Sequence, residues 1–182
     1  MRELILGGQR SGKSARAETL AAQWLGASPA HRAVFVATAK AWDNEMRDRI
    51  ARHQRDRAQR VPGMVTLEEP LDLAGALVRH SAADTLVVVD CLTLWLTNLL
   101  MPARGEAAPA QAGADALVRA LGDHTGPVIL VSNEIGLGVI PMGAGVRAFV
   151  DALGRLNQQV AAACDRVTLM AAGLPLTLKD KA

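Results

Sequence analysis

Eight residues, Gly7-Gly8-Gln9-Arg10-Ser11-Gly12-Lys13-Ser14, constrain this chain more than any other feature. They fit G-x-x-x-x-G-K-[ST], directly after a short apolar run at 4–6 and directly before a stretch, 14–25, that reads as a helix. Gly7 and Gly12 let the turn curl so that successive N–H groups point inward at phosphate oxygens. The following helix adds the positive end of its dipole. Lys13 reaches the β- and γ-phosphates, and the Ser14 hydroxyl is placed to ligate Mg²⁺. The alternative is a chance glycine-rich turn, and the flanking strand and helix argue against it.

The rest of the chain alternates in the same way. Residues 34–37, 64–67, 86–89, 128–131 and 167–170 read as further strands. The runs at 86–89 and 128–131 are unbroken Leu, Val and Ile, as in strands buried on both faces of a parallel sheet. Helices are expected over 43–59, with Asp43 as N-cap, over about 71–79, over 91–100 and over roughly 146–163. Gly173 marks a turn, and 174–178 returns as an antiparallel edge strand, where Pro175 is tolerated. This predicts an α/β fold: one phosphate-loop nucleotide-binding domain over 1–182, with a mostly parallel doubly wound sheet and an antiparallel C-terminal edge hairpin. The Ala/Pro/Gly-rich tract 102–113 reads as an exposed connection between two helices.

Composition excludes several classes. The 182 residues are 50% apolar, too many for a disordered chain. Twenty Lys and Arg against 18 Asp and Glu give a net charge of +2, so no broad attraction to nucleic acid or acidic membranes is expected. No apolar run approaches the roughly 18–20 residues that span a bilayer, and the first residues do not form a secretory signal. Two cysteines, Cys91 and Cys164, are too few for a disulfide scaffold or a thiolate zinc site. With no His-x-x-x-His pair either, a transition-metal site is not expected; His31, His80 and His124 read as surface or loop residues. The expectation is a soluble cytoplasmic protein.

Asp90 closes the 86–89 run, where a phosphate-loop protein carries a second acidic group for Mg²⁺; the other reading is an N-cap for the helix after it. Asn133 and Glu134 follow the 128–131 strand and border the same end of the sheet, or serve the turn there. No Asn-Lys pair is present, and Asp90 is followed by Cys91-Leu92-Thr93, which disfavours a GTPase switch. A small-molecule kinase or transferase fits the length best.

The helix from Trp42 onward is unusual. At about 100° per residue, Trp42, Met46, Ile50 and His53 fall near 0°, 40°, 80° and 20°, one face that turns His53 toward the body of the protein. Six arginines (Arg47, Arg49, Arg52, Arg55, Arg57, Arg60) surround it against Asp48 and Asp56. One reading is a solvated basic face with a packed histidine. The other is a nucleophile for phosphorus: positive neighbours and partial burial keep the imidazole neutral, and the arginines neutralise a triphosphate. Periodicity does not choose between them.

The chain resembles the bifunctional adenosylcobinamide kinase / adenosylcobinamide-phosphate guanylyltransferase family. The matching blocks are the loop 7–14, Val36-Ala37-Thr38-Ala39, Asp43-Asn44-Glu45-Met46 with Arg49-Ile50 and His53, Thr66-Leu67-Glu68, Val89-Asp90-Cys91-Leu92-Thr93 and Thr97-Asn98-Leu99-Leu100. Ser132-Asn133-Glu134-Ile135-Gly136-Leu137-Gly138-Val139-Ile140-Pro141 and Gly154-Arg155-Leu156-Asn157-Gln158 complete them. The resemblance implies phosphorylation of adenosylcobinamide with ATP or GTP. It then implies transfer of GMP from GTP to adenosylcobinamide phosphate, giving adenosylcobinamide-GDP and pyrophosphate. It makes His53 the residue that carries GMP covalently, and Lys13 catalytic. It places GTP against Gly7 to Ser14, the turn Thr38-Ala39-Lys40, Gln54-Arg55-Asp56-Arg57, Glu68 and Asp90. It also implies a homotrimer. Two other readings are a phosphate-loop kinase without guanylyl transfer and a non-catalytic nucleotide-binding regulator.

Overall fold

A computed structural model describes residues 1–41, 44–102 and 107–181. Its strands are β1 (Arg2–Gly7), β2 (Arg32–Ala37), β3 (Met64–Glu68), β4 (Thr85–Asp90), β5 (Val128–Val131), β6 (Arg166–Ala171) and β7 (Leu174–Asp180). Its helices are α1 (Lys13–Ala27), α2 (Asn44–Arg60), α3 (Leu73–Arg79), α4 (Leu92–Leu100), α5 (Ala110–Asp123) and α6 (Ala144–Ala163). The strands form one sheet in the order β3-β2-β4-β5-β1-β6-β7, parallel except for the antiparallel β6–β7 edge.

Side chains alternate across each strand, so each strand feeds two cores. Leu4, Val34, Val36, Val87, Val89 and Leu130 pack beneath helices α3 to α6. Ile5, Phe35, Val88, Ile129 and Val131 pack beneath α1, around its Ala17 and Ala21, and against Val61 just past α2. Both faces are covered, as the unbroken apolar strands require. Every parallel strand therefore ends at the same edge, and the loops that leave that edge can meet.

Three expectations need correction. The tract 102–113 is not all connection: α5 begins at Ala110, inside it. A Cβ at Gly113 would come within 3.3 Å of Leu99 and Trp95, so this helical glycine is packed tightly against α4. His124 lies in a loop but is buried, with Nδ1 3.1 Å from the carbonyl of Gly126. Burial pulls its pKa below the ordinary histidine range. Finally, the cap of α4 is Cys91, whose sulfur accepts the N–H of Leu94, so Asp90 is left to face the strand ends. Trp42 and Asp43, including the expected Asp43 cap, lie outside the described residues.

Candidate nucleotide site

The chain leaves β1 into a tight loop and enters α1 at Lys13. Gly12, at the N-cap of α1, has φ 102°, a conformation that side chains resist. The Ser11 and Gly12 carbonyls are used internally, accepting from Gly173 and from Arg16. Lys13 is buried and donates its Nζ to the Gly8 carbonyl at 2.6 Å. Burial lowers its pKa, while Asp90 and Cys91 act in the opposite sense. The Ser14 hydroxyl donates to Asp90 Oδ2 at 2.8 Å, bridging the start of α1 and the end of β4. For Asp90, desolvation pushes the pKa up; the Ser14 hydrogen bond, then Lys13, Arg57 and His53, pull it back. The carboxylate therefore serves the start of α1 rather than the cap of α4, which Cys91 supplies.

A cavity of ≈ 500 Å³ opens over this edge of the sheet. One wall is the loop from Gln9 to Ser14. The opposite wall is α2, through Ile50, His53, Gln54 and Arg57. Ala39, Glu68, Asp90 and Asn133 close it at the strand ends, with Phe35, Ala37, Cys91 and Leu94 supplying apolar surface. The chain thus brings the glycine-rich loop and the arginine-rich helix, separated in sequence, to face each other. That juxtaposition could not be read from either motif alone.

Gly7, Gly8, Thr38, Lys40, Arg55 and Asp56 do not form the cavity wall. Thr38 is buried, and its hydroxyl is committed to one neighbour: it donates to the Cys91 carbonyl and accepts the Cys91 N–H, both at 2.8 Å. Arg55 is exposed, and Asp56 lies on α2, 3.9 Å from Arg60. Asn133 reaches the cavity, held by its N–H to Thr93 Oγ1 and by its carbonyl accepting from Asn157. Glu134 instead serves the turn, its Oε1 accepting the N–H of Gly136 at 2.6 Å.

The face of α2 that the spacing turned inward carries Arg57 as well as His53, since Arg57 falls at about 60° on the same scale. His53 is exposed and meets open cavity, so the expected partial burial of its ring does not occur. Among the described side chains of α2 the buried one is Arg57, one turn on. Its guanidinium lies 3.5 Å over the Phe35 ring, and its Nη2 donates to Thr66 Oγ1 at 3.4 Å. Phe35 was legible only as a core residue of a strand; nothing local shows that a cation stacks on it. Gln54 donates to Glu68 at 3.2 Å and Arg60 to Glu18 at 3.0 Å, which tie α2 to β3 and to α1. The Cys91 thiol in the cavity wall is pushed up to about 12, by burial first and then by Asp90, which makes it a poor nucleophile at neutral pH.

A family model described as cobinamide kinase / cobinamide phosphate guanyltransferase matches residues 3–178. The chain is 49% identical over 182 residues to the bifunctional adenosylcobalamin biosynthesis protein CobP of Pseudomonas aeruginosa, covering 100% of this chain and 99% of that protein. It is 34% identical over 187 residues to the bifunctional adenosylcobalamin biosynthesis protein CobU of Salmonella typhimurium, covering 97% and 98%. Among solved structures, the flagellar accessory protein FlaH from Methanocaldococcus jannaschii superposes with a TM-score of 0.53 at 12% identity, over 98% of this chain and 78% of that one, a likeness of fold alone.

Proposed function

The chain belongs to the cobinamide kinase / cobinamide phosphate guanyltransferase family, and from that premise we propose that a single nucleotide cleft in a single domain, 1–182, carries both reactions on different walls. In the first, the aminopropanol hydroxyl of adenosylcobinamide attacks the γ-phosphate of ATP or GTP in line. The O–P bond forms, the bond to the β-phosphate oxygen breaks, and the nucleoside diphosphate leaves. The N–H groups of the loop and the Lys13 ammonium hold the charge that builds on the transferring group, and no protein nucleophile is required.

In the second reaction an imidazole nitrogen of His53 attacks the α-phosphate of GTP. A P–N bond forms, pyrophosphate leaves, and GMP is held on the ring. A phosphate oxygen of adenosylcobinamide phosphate then attacks that phosphorus and breaks the P–N bond. Adenosylcobinamide-GDP is released and His53 is restored. Arg57 and Lys13 face the triphosphate from opposite sides, while Gln54, Glu68 and Ala39 border its nucleoside end. The Ser14 hydroxyl and the Asp90 carboxylate, 2.8 Å apart, are hard oxygen donors of the kind Mg²⁺ takes and would hold the ion. Bound there, Mg²⁺ would neutralise charge on the phosphates.

The observation that carries this reading is that His53 opens onto the same cavity as the phosphate loop. The test is incubation with α-³²P-GTP. The wild-type chain should take up a label that acid removes and alkali does not, as a phosphoramidate requires, and His53→Asn should take up none. An acid-labile GMP label on His53→Asn would move the nucleophile to another residue.

We infer a homotrimer working in the cytoplasm, where its nucleotides are. The segment after β5 exposes Leu137, Val139, Ile140 and Met142, an apolar surface of the sort that subunit contacts cover. Among the described residues no helix is long and apolar enough to cross a membrane.

A further inference from the structure

The last two strands lie outside the cleft, yet the turn that joins them reaches the phosphate loop. Ala171 pairs with Leu174, so the turn consists of Ala172 and Gly173 alone. Both have positive φ, 51° and 80°, the signature of a type I′ hairpin turn. Alanine rarely enters this region, so the turn is held there by its surroundings. The pairing of β6 with β7 around two residues imposes that conformation, and the turn also bonds to the loop: the Gly173 N–H donates to the Ser11 carbonyl at 3.0 Å. Gly12 sits so close that a Cβ on it would come within 3.3 Å of the Gly173 Cα.

Ser11 C=O and Gly12 N–H belong to one planar peptide unit, so fixing the carbonyl on one side aims the N–H on the other. That N–H opens the run that continues into α1, the part of the loop that cradles phosphate. Met170, the residue of β6 that pairs with Gly7, packs behind the same glycine-rich backbone. The loop is therefore held at its crest by a hairpin from the far end of the chain, 162 residues later (173 − 11).

We propose that the β6–β7 turn belongs to the phosphate-binding machinery, with Gly173 a positioning residue that sets the Gly12 amide through the Ser11 carbonyl. The ligand class it serves is the polyphosphate chain of a nucleoside triphosphate, and the proposal rests on the reading of this loop as the GTP site. No atom lies within 4 Å of a Cβ built at position 173, so substitutions there meet open space and act through backbone conformation alone. Asparagine accepts positive φ; a β-branched residue does not.

The experiment measures binding of GTP, of inorganic tripolyphosphate and of guanosine to the full-length wild type, Gly173→Val and Gly173→Asn, with thermal unfolding of each. Gly173→Val should weaken GTP and tripolyphosphate by the same factor, roughly tenfold, the size of one lost charge-assisted hydrogen bond, and leave guanosine unchanged. Gly173→Asn should keep both within about threefold of wild type, which a role for side-chain volume would not allow. A folded Gly173→Val that binds tripolyphosphate as wild type does would overturn the proposal, as would a Gly173→Asn that loses as much as the valine variant. Should Gly173→Val fail to fold, hydrogen exchange on the wild type decides. GTP should slow exchange of the Gly173 amide together with that of Gly12, and protection confined to the loop would overturn it. A wild type that binds no GTP at all would instead bring down the functional reading itself.

Discussion

The two walls of the cleft are built by different means. The phosphate-loop wall is backbone: its curvature comes from glycine dihedrals, its crest is bonded to Gly173, and the Gly7 carbonyl accepts the N–H of Glu134. Of its working side chains, Lys13 is buried and Ser14 half-buried. The α2 wall is side chain. It is anchored through one guanidinium on one ring, through Arg60–Glu18 and Gln54–Glu68, and through Val61, while His53 stands exposed at its margin. A preorganised wall suits phosphate binding, which both reactions need; a wall that carries a nucleophile must let that group approach and leave phosphorus. The two activities should therefore separate when α2 is damaged and fall together when the loop is.

The largest effect is expected at Lys13. Lys13→Ala should lower both activities by about 10²–10³ or more, since preorganised charges of this kind are worth that much each. Steady-state assays of kinase and guanylyl transfer would show it, and a loss confined to one activity would break the idea of a shared phosphate wall. Asp90→Asn should come next, raising the Mg²⁺ concentration needed for half-maximal turnover in both assays, with EDTA abolishing turnover of the wild type. An unchanged Mg²⁺ titration would reduce Asp90 to a hydrogen-bond partner of Ser14.

Arg57→Leu loosens the α2 wall alone. It removes a cation–π contact, worth about 0.5–2 kcal/mol, and the bond to Thr66. Guanylyl transfer should fall roughly 10- to 30-fold while the kinase changes severalfold at most, following the conversion of about 1.4 kcal/mol per factor of ten. Equal losses would mean that α2 serves both reactions. Arg60→Ala should do least. Its ion pair with Glu18 is 58% exposed on the arginine side, where solvent screens the charges, so only a small fall in melting temperature is expected.

Acid response tests the far end of the sheet. His124 has its pKa lowered chiefly by burial, so the folded state favours the neutral ring. Its contribution to stability is complete above the unfolded-state pKa, about 6.5, and is lost as pH falls through that value toward the lower folded one. Unfolding midpoints of the wild type should decline over that range, and those of His124→Asn should decline less.

What was legible in the sequence follows from how local its causes are. The loop could be read because strand, turn and helix each leave their mark within eight residues, and the central strands because burial on both faces leaves no polar position. The inward face of α2 was legible too, but not which of its polar residues is buried. The spacing sets His53 and Arg57 on one face, at about 20° and 60°, and Arg57 takes the buried place because Phe35 on β2 and Thr66 on β3 offer it a ring and a hydroxyl from distant parts of the chain. The start of α5 was hidden in the same way: Gly113 looks like linker until Trp95 and Leu99 of α4 give it something to pack on. Thr38 shows the converse, a residue prominent in a motif whose hydroxyl is bonded to the Cys91 peptide.

If one chain divides two chemistries between two walls, purified His53→Asn assayed for both activities should show the split. Phosphorylation of adenosylcobinamide should persist near the wild-type rate, because the loop and Asp90 are untouched, while transfer of GMP to adenosylcobinamide phosphate should vanish. Loss of both activities in a correctly folded protein, or retention of guanylyl transfer, would contradict the account.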